Sequence, residues 1–347
     1  MAHAPQNPIT LLAIETSCDE TGVAIVRKNG ESVTVLAERV ASQDIHAATG
    51  GVIPEVAARE HVITLQSMLR TILIENDLSS ADLDGIAVTV GPGLQPALAV
   101  GVSAARTLSY VWDKPLIPVH HLEGHIYSAL LEGESVFPAV ALIVSGGHTQ
   151  LILITDHVTY EVVGSTKDDA AGEAFDKVAR LLGLPYPGGP HLSELAQTGN
   201  PAAFSFTRPL LHSGDLNFSF SGLKTAVLYA WRELTPQQQN SQRADMAASF
   251  EQTVIDSLVG KTIQAVEDIN PQLLLLAGGV AANTKLREAL AAAALKLGVP
   301  LRSAPRRLTG DNATMIGQAG VFAYERGRRV AWQTIDAQAR LPITVFQ

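Results

Sequence analysis

The order of the predicted strands and helices repeats once along the chain, and this duplication limits the folds open to it. Residues 11–131 read as three strands followed by helix, strand, helix, strand and helix. Residues 139–324 repeat that order, apart from an insert and one extra helix. Hairpins combined with βαβ units predict a mixed sheet flanked by helices. We therefore expect an α/β protein whose two similar lobes pack around a central cleft and are related by a pseudo-two-fold axis.

The length of 347 residues is enough for two domains, and the 46% of hydrophobic residues can bury a sizeable core in each. We expect residues 9–120 to form the first lobe, with residues 325–347 packing back on it. Residues 121–324 are expected to form the second lobe, with an insert at about 184–240. The single cysteine, Cys18, excludes an internal disulfide and a cysteine-based zinc site.

Residues 85–105 carry no charge and are long enough to resemble a membrane span. However, Gly91, Pro92, Gly93 and Pro96 break this segment into a strand, a turn and a helix. Residues 1–8 lack the basic start and apolar run of a signal peptide. We therefore expect no membrane association and a cytoplasmic location.

The formal net charge of −9 argues against a protein that holds nucleic acid with its whole surface. A nucleic-acid substrate would need a partner protein or a local basic patch. Two runs of the sequence are candidate patches, although each could equally be solvated surface: Arg302, Arg306 and Arg307, and Arg326, Arg328 and Arg329.

Two histidines open the helix that follows the last strand of the first lobe. His121 and His125 are four residues apart, so on a helix they occupy one face. Two imidazoles at this spacing suit a transition metal with open coordination positions. Such pairs also occur by chance, with each ring satisfied by backbone or water.

The duplication supplies a third ligand for these histidines. Asp311 opens the last helix of the second lobe, the position equivalent to His121 and His125. Equivalent positions near a pseudo-dyad can meet, and two histidines with one carboxylate suit iron(II), with zinc as second choice. Alternatively, Asp311 is only the N-cap of its helix.

Two glycine turns follow buried strands of the second lobe. Ser145, Gly146 and Gly147 form the tip of a hairpin, where backbone N–H groups can approach an anion closely. Residues 273–283 read as a strand, a glycine turn and a helix start, a common place for ligands. Asn283 could contact a ligand there or only cap the helix.

Three further segments have polar side chains that could serve a site. Residues 169–182 predict a helix with one acidic face that includes Asp176, which could hold a ribose or act as a base. Residues 186–190 predict a rigid turn. Residues 217–224 alternate like a strand and end at Lys224, which could reach an anion or simply be exposed.

Taken together, these motifs resemble the bacterial tRNA threonylcarbamoyladenosine transferases, the TsaD/Gcp/Kae family formerly called O-sialoglycoprotein endopeptidases. The resemblance covers nearly the whole chain after about residue 9. It is carried by residues 15–21, 91–93, 121–125, 144–149, 168–177, 186–190, 218–225, 277–283 and 311–313.

The resemblance implies two duplicated ribonuclease-H-like lobes of the actin/Hsp70/sugar-kinase (ASKHA) type. It also implies transfer of a threonylcarbamoyl group from threonylcarbamoyl-AMP to the N6 amine of the adenosine next to the anticodon, in tRNAs that read A-starting codons. The implied partners are tRNA, a TsaB-like degenerate paralogue, a TsaE-like small ATPase and a TsaC-type enzyme that supplies the adenylate.

The resemblance implies one Fe(2+) per subunit on His121, His125 and Asp311, and ATP or threonylcarbamoyl-AMP in the cleft. The implied adenylate contacts are Ile143, Val144, Ser145, Gly146, Gly147, Asp176, Gly189 and Asn283. The general base is not assigned, and Asp19, Glu15 and Asp176 are candidates.

Three other functions are open to this sequence. A small-molecule kinase of the same fold would leave the histidine pair unexplained, and a non-catalytic scaffold would have no use for it. A zinc protease is disfavoured, because Glu123 lies two residues after His121, about 200° around the helix, and faces away from the metal.

Overall fold

Two mixed β-sheets form the framework of the protein in a computed structural model that describes residues 7–131 and 133–346. Each sheet has five strands. The strands of the first sheet are β1 (Ile9–Glu15), β2 (Glu20–Asn29), β3 (Ser32–Ser42), β4 (Gly85–Gly91) and β5 (Leu116–His120). Those of the second are β6 (Ala139–Val144), β7 (Thr149–Asp156), β8 (Thr159–Ser165), β9 (Leu273–Ala277) and β10 (Leu301–Ser303).

The two sheets have the same topology. The first has the order β3-β2-β1-β4-β5, with an antiparallel meander on one side of β1 and parallel strands on the other. The second has the order β8-β7-β6-β9-β10, in which β6 pairs antiparallel with β7 and parallel with β9. The predicted duplication of a mixed α/β unit is therefore confirmed.

Nine α-helices connect and cover these strands within the described part of the chain. They are α1 (Pro54–Glu75), α2 (Gln95–Trp112), α3 (His121–Leu130), α4 (Ala171–Leu181), α5 (Gly188–Ala196), α6 (Ser221–Glu233), α7 (Pro236–Ile269), α8 (Thr284–Leu297) and α9 (Ala313–Glu325). Among the described residues, no helix combines the length and the apolar character that a membrane span requires.

The described residues divide into two compact units. The first is drawn from the ranges 1–135, 156–160 and 310–347, and the second from the ranges 136–155 and 161–309. Each has its own hydrophobic core, built on the strands of its sheet and the helices that cover them. These units differ from the domain boundaries expected above, because α3 and α9 belong to the first unit.

Two glycines explain why α9 packs on the first sheet. A Cβ atom at Gly317 would lie 2.4 Å from Val26 Cγ2, and one at Gly320 would lie 2.7 Å from Ala87 Cβ. Larger residues would keep the helix off the strands, so these glycines allow its backbone to approach β2 and β4 closely. Asp311, just before α9, is positioned by this packing in the same unit as His121 and His125.

Local structure around the insert corrects two expectations. Residues 217–224 do not form a strand: Phe218 makes an isolated bridge with Thr166, and α6 begins at Ser221, so Lys224 lies in a helix. The predicted turn at 186–190 runs directly into α5, which begins at Gly188.

Candidate functional site

The histidines of α3 are set in place by the way the helix begins. His120 is the N-cap: its side chain accepts a hydrogen bond from the Leu122 N–H at 3.1 Å, and Glu123 accepts one in return from the His120 N–H at 3.4 Å. This capping box fixes the first turn. His121 and His125 then share one face, with their ring centroids 4.7 Å apart.

Asp311 meets both histidines, as the duplication predicted. Its Oδ1 lies 3.4 Å from His121 Nε2 and 3.3 Å from His125 Nε2. One nitrogen or oxygen atom from each of the three residues lies within 4.8 Å of the other two. Asp311 is not the N-cap of α9, because the neighbouring Asn312 side chain accepts from the Met315 N–H at 2.9 Å. The Asp311 carboxylate is therefore not needed to cap the helix.

Close packing of α3 on α9 brings these residues together. A Cβ atom at Gly124 would lie 2.8 Å from Ile316 Cδ1, so the absence of a side chain at this position permits the approach. Gly124 is the residue immediately before His125 in the chain. A bulkier residue there would move His125 away from the carboxylate.

The surroundings of the buried His125 ring nitrogens indicate whether this cluster fits a metal ion. His125 is fully buried; its Nδ1 has no hydrogen-bond partner among the described residues, and its Nε2 meets only the Asp311 carboxylate, at 3.3 Å. A buried polar group whose hydrogen-bonding capacity is not fully used is costly. Coordination by Nε2 would remove that cost, and two imidazoles with one carboxylate are a common donor set for divalent transition metals. The residues present therefore fit a metal ion.

The pKa values of the His121 and His125 imidazoles are shifted in opposite directions. Burial lowers the pKa of His121, but the nearby Asp311 and Glu15 carboxylates raise it more, to about 9. Burial, together with the charge of His121, lowers the pKa of His125 despite the opposing effect of Asp311. His125 is thus neutral near pH 7, as a metal ligand must be.

Glu15 lies behind His121. Its Oε2 is 3.5 Å from His121 Nδ1, and the Ser17 hydroxyl is 3.1 Å from the same nitrogen. The carboxylate also accepts hydrogen bonds from the Ser17 N–H at 2.5 Å and from the Thr89 hydroxyl. A carboxylate in this position orients a ligating imidazole and fixes its tautomer. Glu15, a candidate base, is fully buried and has both oxygens engaged.

Asp19, another candidate base, belongs to a group of acids near Asp311. Its side chain hydrogen-bonds to Cys18 and Glu20. Burial, followed by the charges of Asp311 and Asp19, raises the pKa of Glu20 to about 10. Glu20 is therefore protonated at neutral pH and can donate to Asp19. The sequence offered one signal for Glu20, its place beside Asp19 in the polar segment of residues 15–21, and in the structure it is the first residue of β2.

The glycine turn of the second unit follows β6. The Ser145 N–H donates to the His148 carbonyl at 2.8 Å, and the Ser145 hydroxyl accepts from the His148 N–H at 3.1 Å. Gly146 and Gly147 are exposed at the tip, where an added Cβ atom would meet no heavy atom of the described residues within 4 Å. Their backbone N–H groups are thus accessible to an anion.

A second glycine turn lies beside the first. Strands β6 and β9 run parallel, and a Cβ atom at Gly278 would lie 2.4 Å from the Val144 carbonyl oxygen. The two turns therefore share the carboxyl end of the sheet, where ligands of α/β proteins gather. The side chains of Ile143 and Val144 are fully buried in β6, so only their backbone could contact a ligand.

The remaining predicted adenylate contacts meet at α5. Asp176 Oδ1 accepts from the Gly189 N–H at 3.3 Å, at the start of that helix. Ser193, on the same helix, accepts from Asn283 Nδ2 at 2.9 Å, and Asn283 also donates to Glu251 at 2.7 Å. Asn283 is in addition the N-cap of α8, the alternative role considered for it.

Lys224 pairs with an acidic residue close to this region. Asp169 Oδ2 accepts from both Lys224 and Lys177 at 2.9 Å. Asp169 precedes α4 rather than belonging to it, so the expected acidic helix face is shorter by one residue. Lys224 is therefore held in an ion pair.

Glu123 points away from the candidate metal ligands, as expected. It accepts hydrogen bonds from Tyr160 at 2.8 Å and from Arg328 at 2.7 Å, and it is fully buried. It cannot act as the base of a zinc protease. Since Arg326 pairs with Asp156, the candidate patch formed with Arg328 is largely neutralised by internal partners.

The sequence matches a family model described as "TsaD: tRNA N6-adenosine threonylcarbamoyltransferase" over residues 34–318. A tRNA N6-adenosine threonylcarbamoyltransferase of Moorella thermoacetica is 49% identical over 335 residues, covering 96% of this chain and 97% of its own. The chain belongs to this family. A second relative with the same name, from Bacillus subtilis, is 46% identical over 344 residues, covering 99% of this chain and 98% of its own.

Solved structures share the fold. HypF of T. kodakarensis superposes with a TM-score of 0.62 at 15% identity, and full-length HypF in a phosphate- and nucleotide-bound form with 0.60 at 12%. They cover 94% and 92% of this chain, which spans 50% and 46% of theirs. At such low identity the likeness concerns the architecture alone, and it supports the duplicated two-lobe fold expected for the family.

Proposed function

We propose that this member of the family transfers the threonylcarbamoyl group from threonylcarbamoyl-AMP to the N6 amine of the adenosine next to the anticodon, in tRNAs that read A-starting codons. The observation that carries the proposal is the buried cluster in which His125 Nε2 lies 3.3 Å from Asp311, beside His121. A metal ion held there could polarise the carbonyl of an acyl group, and the names of the relatives specify the acyl group and its acceptor.

The proposed metal ligands are His121, His125 and Asp311, with iron(II) as the ion and zinc as the alternative. When bound, the ion would supply Lewis acidity that polarises the carbonyl of the threonylcarbamoyl group. Glu15 holds His121 through Nδ1, which leaves Nε2 directed at the metal position. The protein thus fixes the ligand geometry before the substrate arrives.

The adenylate is proposed to lie against the glycine turns of the second unit. The N–H groups of Gly146 and Gly147, together with the Ser145 hydroxyl, would hold the phosphate, which is the leaving group of the transfer. The other proposed contacts are the backbone of Ile143 and Val144, and Asp176, Gly189 and Asn283. ATP would occupy the same position.

The acceptor is an aromatic amine and therefore a weak nucleophile, so its positioning should contribute most of the rate enhancement. Of the three candidate bases, Glu15 has both carboxylate oxygens engaged by the protein. Asp176 accepts hydrogen bonds at the start of α5. We favour Asp19, which is half-buried and hydrogen-bonded to the protonated Glu20.

The proposed partners are a TsaB-like paralogue, a TsaE-like ATPase and a TsaC-type enzyme that supplies the adenylate, all in the cytoplasm with the tRNA. Helices α1 and α2 offer a surface for the paralogue. Val62, Ile63 and Ile74 on α1, and Tyr110 and Val111 on α2, are 57–69% exposed. Exposed apolar side chains gathered on neighbouring helices are typical of a protein interface.

Mass spectrometry of tRNA nucleosides tests this function. Unmodified tRNA is incubated with threonylcarbamoyl-AMP, the two partner proteins and the full chain, and the modified adenosine is quantified. We expect product with the wild type and its loss with His121→Ala. The matched control is His120→Asn, which changes the adjacent histidine but keeps a good N-cap.

The outcomes separate the alternatives. No product with the wild type and active partners would overturn the transferase, and turnover of Mg-ATP with a small acceptor would then favour the kinase. Product formation that is unaffected by His121→Ala would remove the metal centre from the mechanism.

A further inference from the structure

Two arginines of the second unit lie together at the start of α8. Arg306 begins a 3₁₀ turn (Arg306–Leu308) that follows β10, and its side chain is exposed. Its Nη2 donates to the Thr284 hydroxyl at 2.9 Å, which joins the turn to the first residue of α8. Arg287, one turn further along α8, is half-buried.

Arg287 is held by backbone carbonyls. Its Nε donates to the Ala281 oxygen and its Nη2 to the Ala304 oxygen at 2.6 Å. Ala304 lies two residues before Arg306. The same short segment therefore accepts a hydrogen bond from Arg287 and carries the side chain of Arg306. We call Arg287 and Arg306 the arginine patch.

The arginine patch carries positive charge without a carboxylate to balance it. Within the part of the chain that the structure describes, both guanidiniums donate only to neutral oxygens. Burial and the neighbouring charge of Arg306 lower the pKa of Arg287, so the two cations are close enough to repel each other. Glu251 forms an ion pair of 3.2 Å with the nearby Lys285. It therefore does not balance the charge of the arginine patch.

Three exposed arginines elsewhere in the chain show the usual alternative, a pair with an acid. Arg208 donates to Asp256, Arg39 to Glu75 and Arg326 to Asp156. The chain has 34 acidic and 25 basic residues, so carboxylates are plentiful. Two like charges held close together without a carboxylate repel each other, so an anionic ligand bound between them would stabilise this arrangement.

We propose that the arginine patch binds the phosphate backbone of the tRNA substrate. Guanidinium groups match phosphate oxygens in charge and in planar, bidentate geometry. The patch begins four residues after Asn283, a proposed adenylate contact, and ends five residues before the proposed ligand Asp311. The inference rests on the proposed function, since it assigns a docking surface to that substrate.

The test measures the salt dependence of tRNA binding to the full chain. Unmodified tRNA labelled with a fluorophore is titrated by anisotropy from about 50 to about 200 mM salt, where each phosphate contact contributes about one unit to the slope of log K against log salt. We expect Arg306→Ala to lower the affinity by roughly threefold to tenfold at low salt and to reduce the slope by about 1. Arg306→Lys should keep most of the slope, because it keeps the charge.

Arg208→Ala is the matched control. It removes the same charge from an exposed arginine of the same unit, but one already neutralised by Asp256. We expect its slope to equal that of the wild type. An equal change in the two variants would attribute the effect to net charge and overturn the patch.

Two further outcomes distinguish this inference from the proposed function. The wild type could modify tRNA while Arg306→Ala shows an unchanged salt-dependence slope for tRNA binding. That result would overturn the arginine patch and leave the transferase function intact. If Arg306→Ala bound the paralogue more weakly but bound tRNA as the wild type does, the patch would be assigned to an acidic protein. That result would also overturn the proposal. In steady state, we expect Arg306→Ala to raise the KM for tRNA with kcat unchanged.

Discussion

Glu123 and Arg328 form a buried ion pair of 2.7 Å on the side of α3 opposite the candidate metal ligands. Glu123 is fully buried, and the Arg328 side chain is only 10% exposed. Tyr160 donates a further hydrogen bond to the same carboxylate. Because His121 and His125 flank Glu123 in the helix, this pair holds the rotation of α3 that directs both imidazoles at Asp311.

The ion pair should be sensitive to the loss of one partner. Arg328→Met leaves a carboxylate buried without its cation, and we expect the free energy of unfolding to fall by about 3–5 kcal/mol. Urea denaturation of the wild type and the variant measures this change. The double variant Glu123→Gln with Arg328→Met should recover part of the loss, because no buried charge is then left unpaired.

The exposed pair of Arg39 and Glu75 provides the comparison. Its side chains are 39% and 54% exposed, so Arg39→Met should cost less than about 1 kcal/mol. Similar losses for the exposed and the buried pair would contradict the structural role assigned to Arg328.

Metal content should depend on His125 and not on its neighbour His120. We expect the full chain purified without oxygen to retain one metal ion, and His125→Ala to retain none, since His125 is one of the three proposed ligands. His120→Asn should keep the ion, because His120 Nε2 bonds to the Leu341 carbonyl at 2.8 Å. Elemental analysis by mass spectrometry measures the stoichiometry, and metal retained by His125→Ala would remove it from the ligand set.

The sequence predicted those parts of the fold that depend on local patterns. Unbroken apolar runs such as β9, and proline at the start of α1, define elements whose order alone reveals the duplication. The spacing of His121 and His125 predicted a shared helix face. The equivalent position of Asp311 in the second repeat predicted that it would join them. In the structure its Oδ1 lies within 3.4 Å of both Nε2 atoms.

What could not be predicted depends on tertiary contacts. The packing of α9 on the first sheet requires the close approach at Gly317 and Gly320, and isolated glycines in a helix do not identify their neighbours. Arg328 is 205 residues from Glu123, so no local pattern joins them. The alternation around Phe218 and Phe220 reflects two buried rings before a helix rather than a strand.

The two glycine turns of the second unit should respond differently to an added methyl group. Gly146→Ala meets no neighbouring atom, so stability should change by less than about 0.5 kcal/mol, while affinity for the adenylate falls because the methyl blocks backbone approach. Gly278 has φ of +92°, and a Cβ atom there would lie 2.4 Å from the Val144 oxygen. Gly278→Ala should therefore cost about 1–3 kcal/mol.

Thermal unfolding and calorimetric titration with a stable adenylate analogue separate these effects. Unchanged affinity in a folded Gly146→Ala protein would argue against phosphate binding at the turn.

His157 should give the protein a measurable sensitivity to acid. Its ring stacks on Phe322 at a centroid distance of 4.0 Å, and its Nδ1 lies 2.9 Å from the Tyr127 hydroxyl. Burial lowers the pKa of His157 from 6.5 to about 4, against the opposing effect of Asp156. Between these two values the unfolded chain binds a proton that the folded chain does not. Stability linked to His157 is therefore complete above pH 6.5 and is lost as the pH falls towards 4.

His157→Phe keeps the stacking and removes the titration. At neutral pH we expect the variant to be less stable by about 1 kcal/mol, because the bond to Tyr127 is lost. Its stability should then fall less steeply than that of the wild type as the pH is lowered from about 7 to about 5. Urea denaturation of both proteins across this range measures the two slopes. Parallel slopes would mean that His157 takes up its proton equally well in the folded protein, and would contradict its burial as a neutral ring.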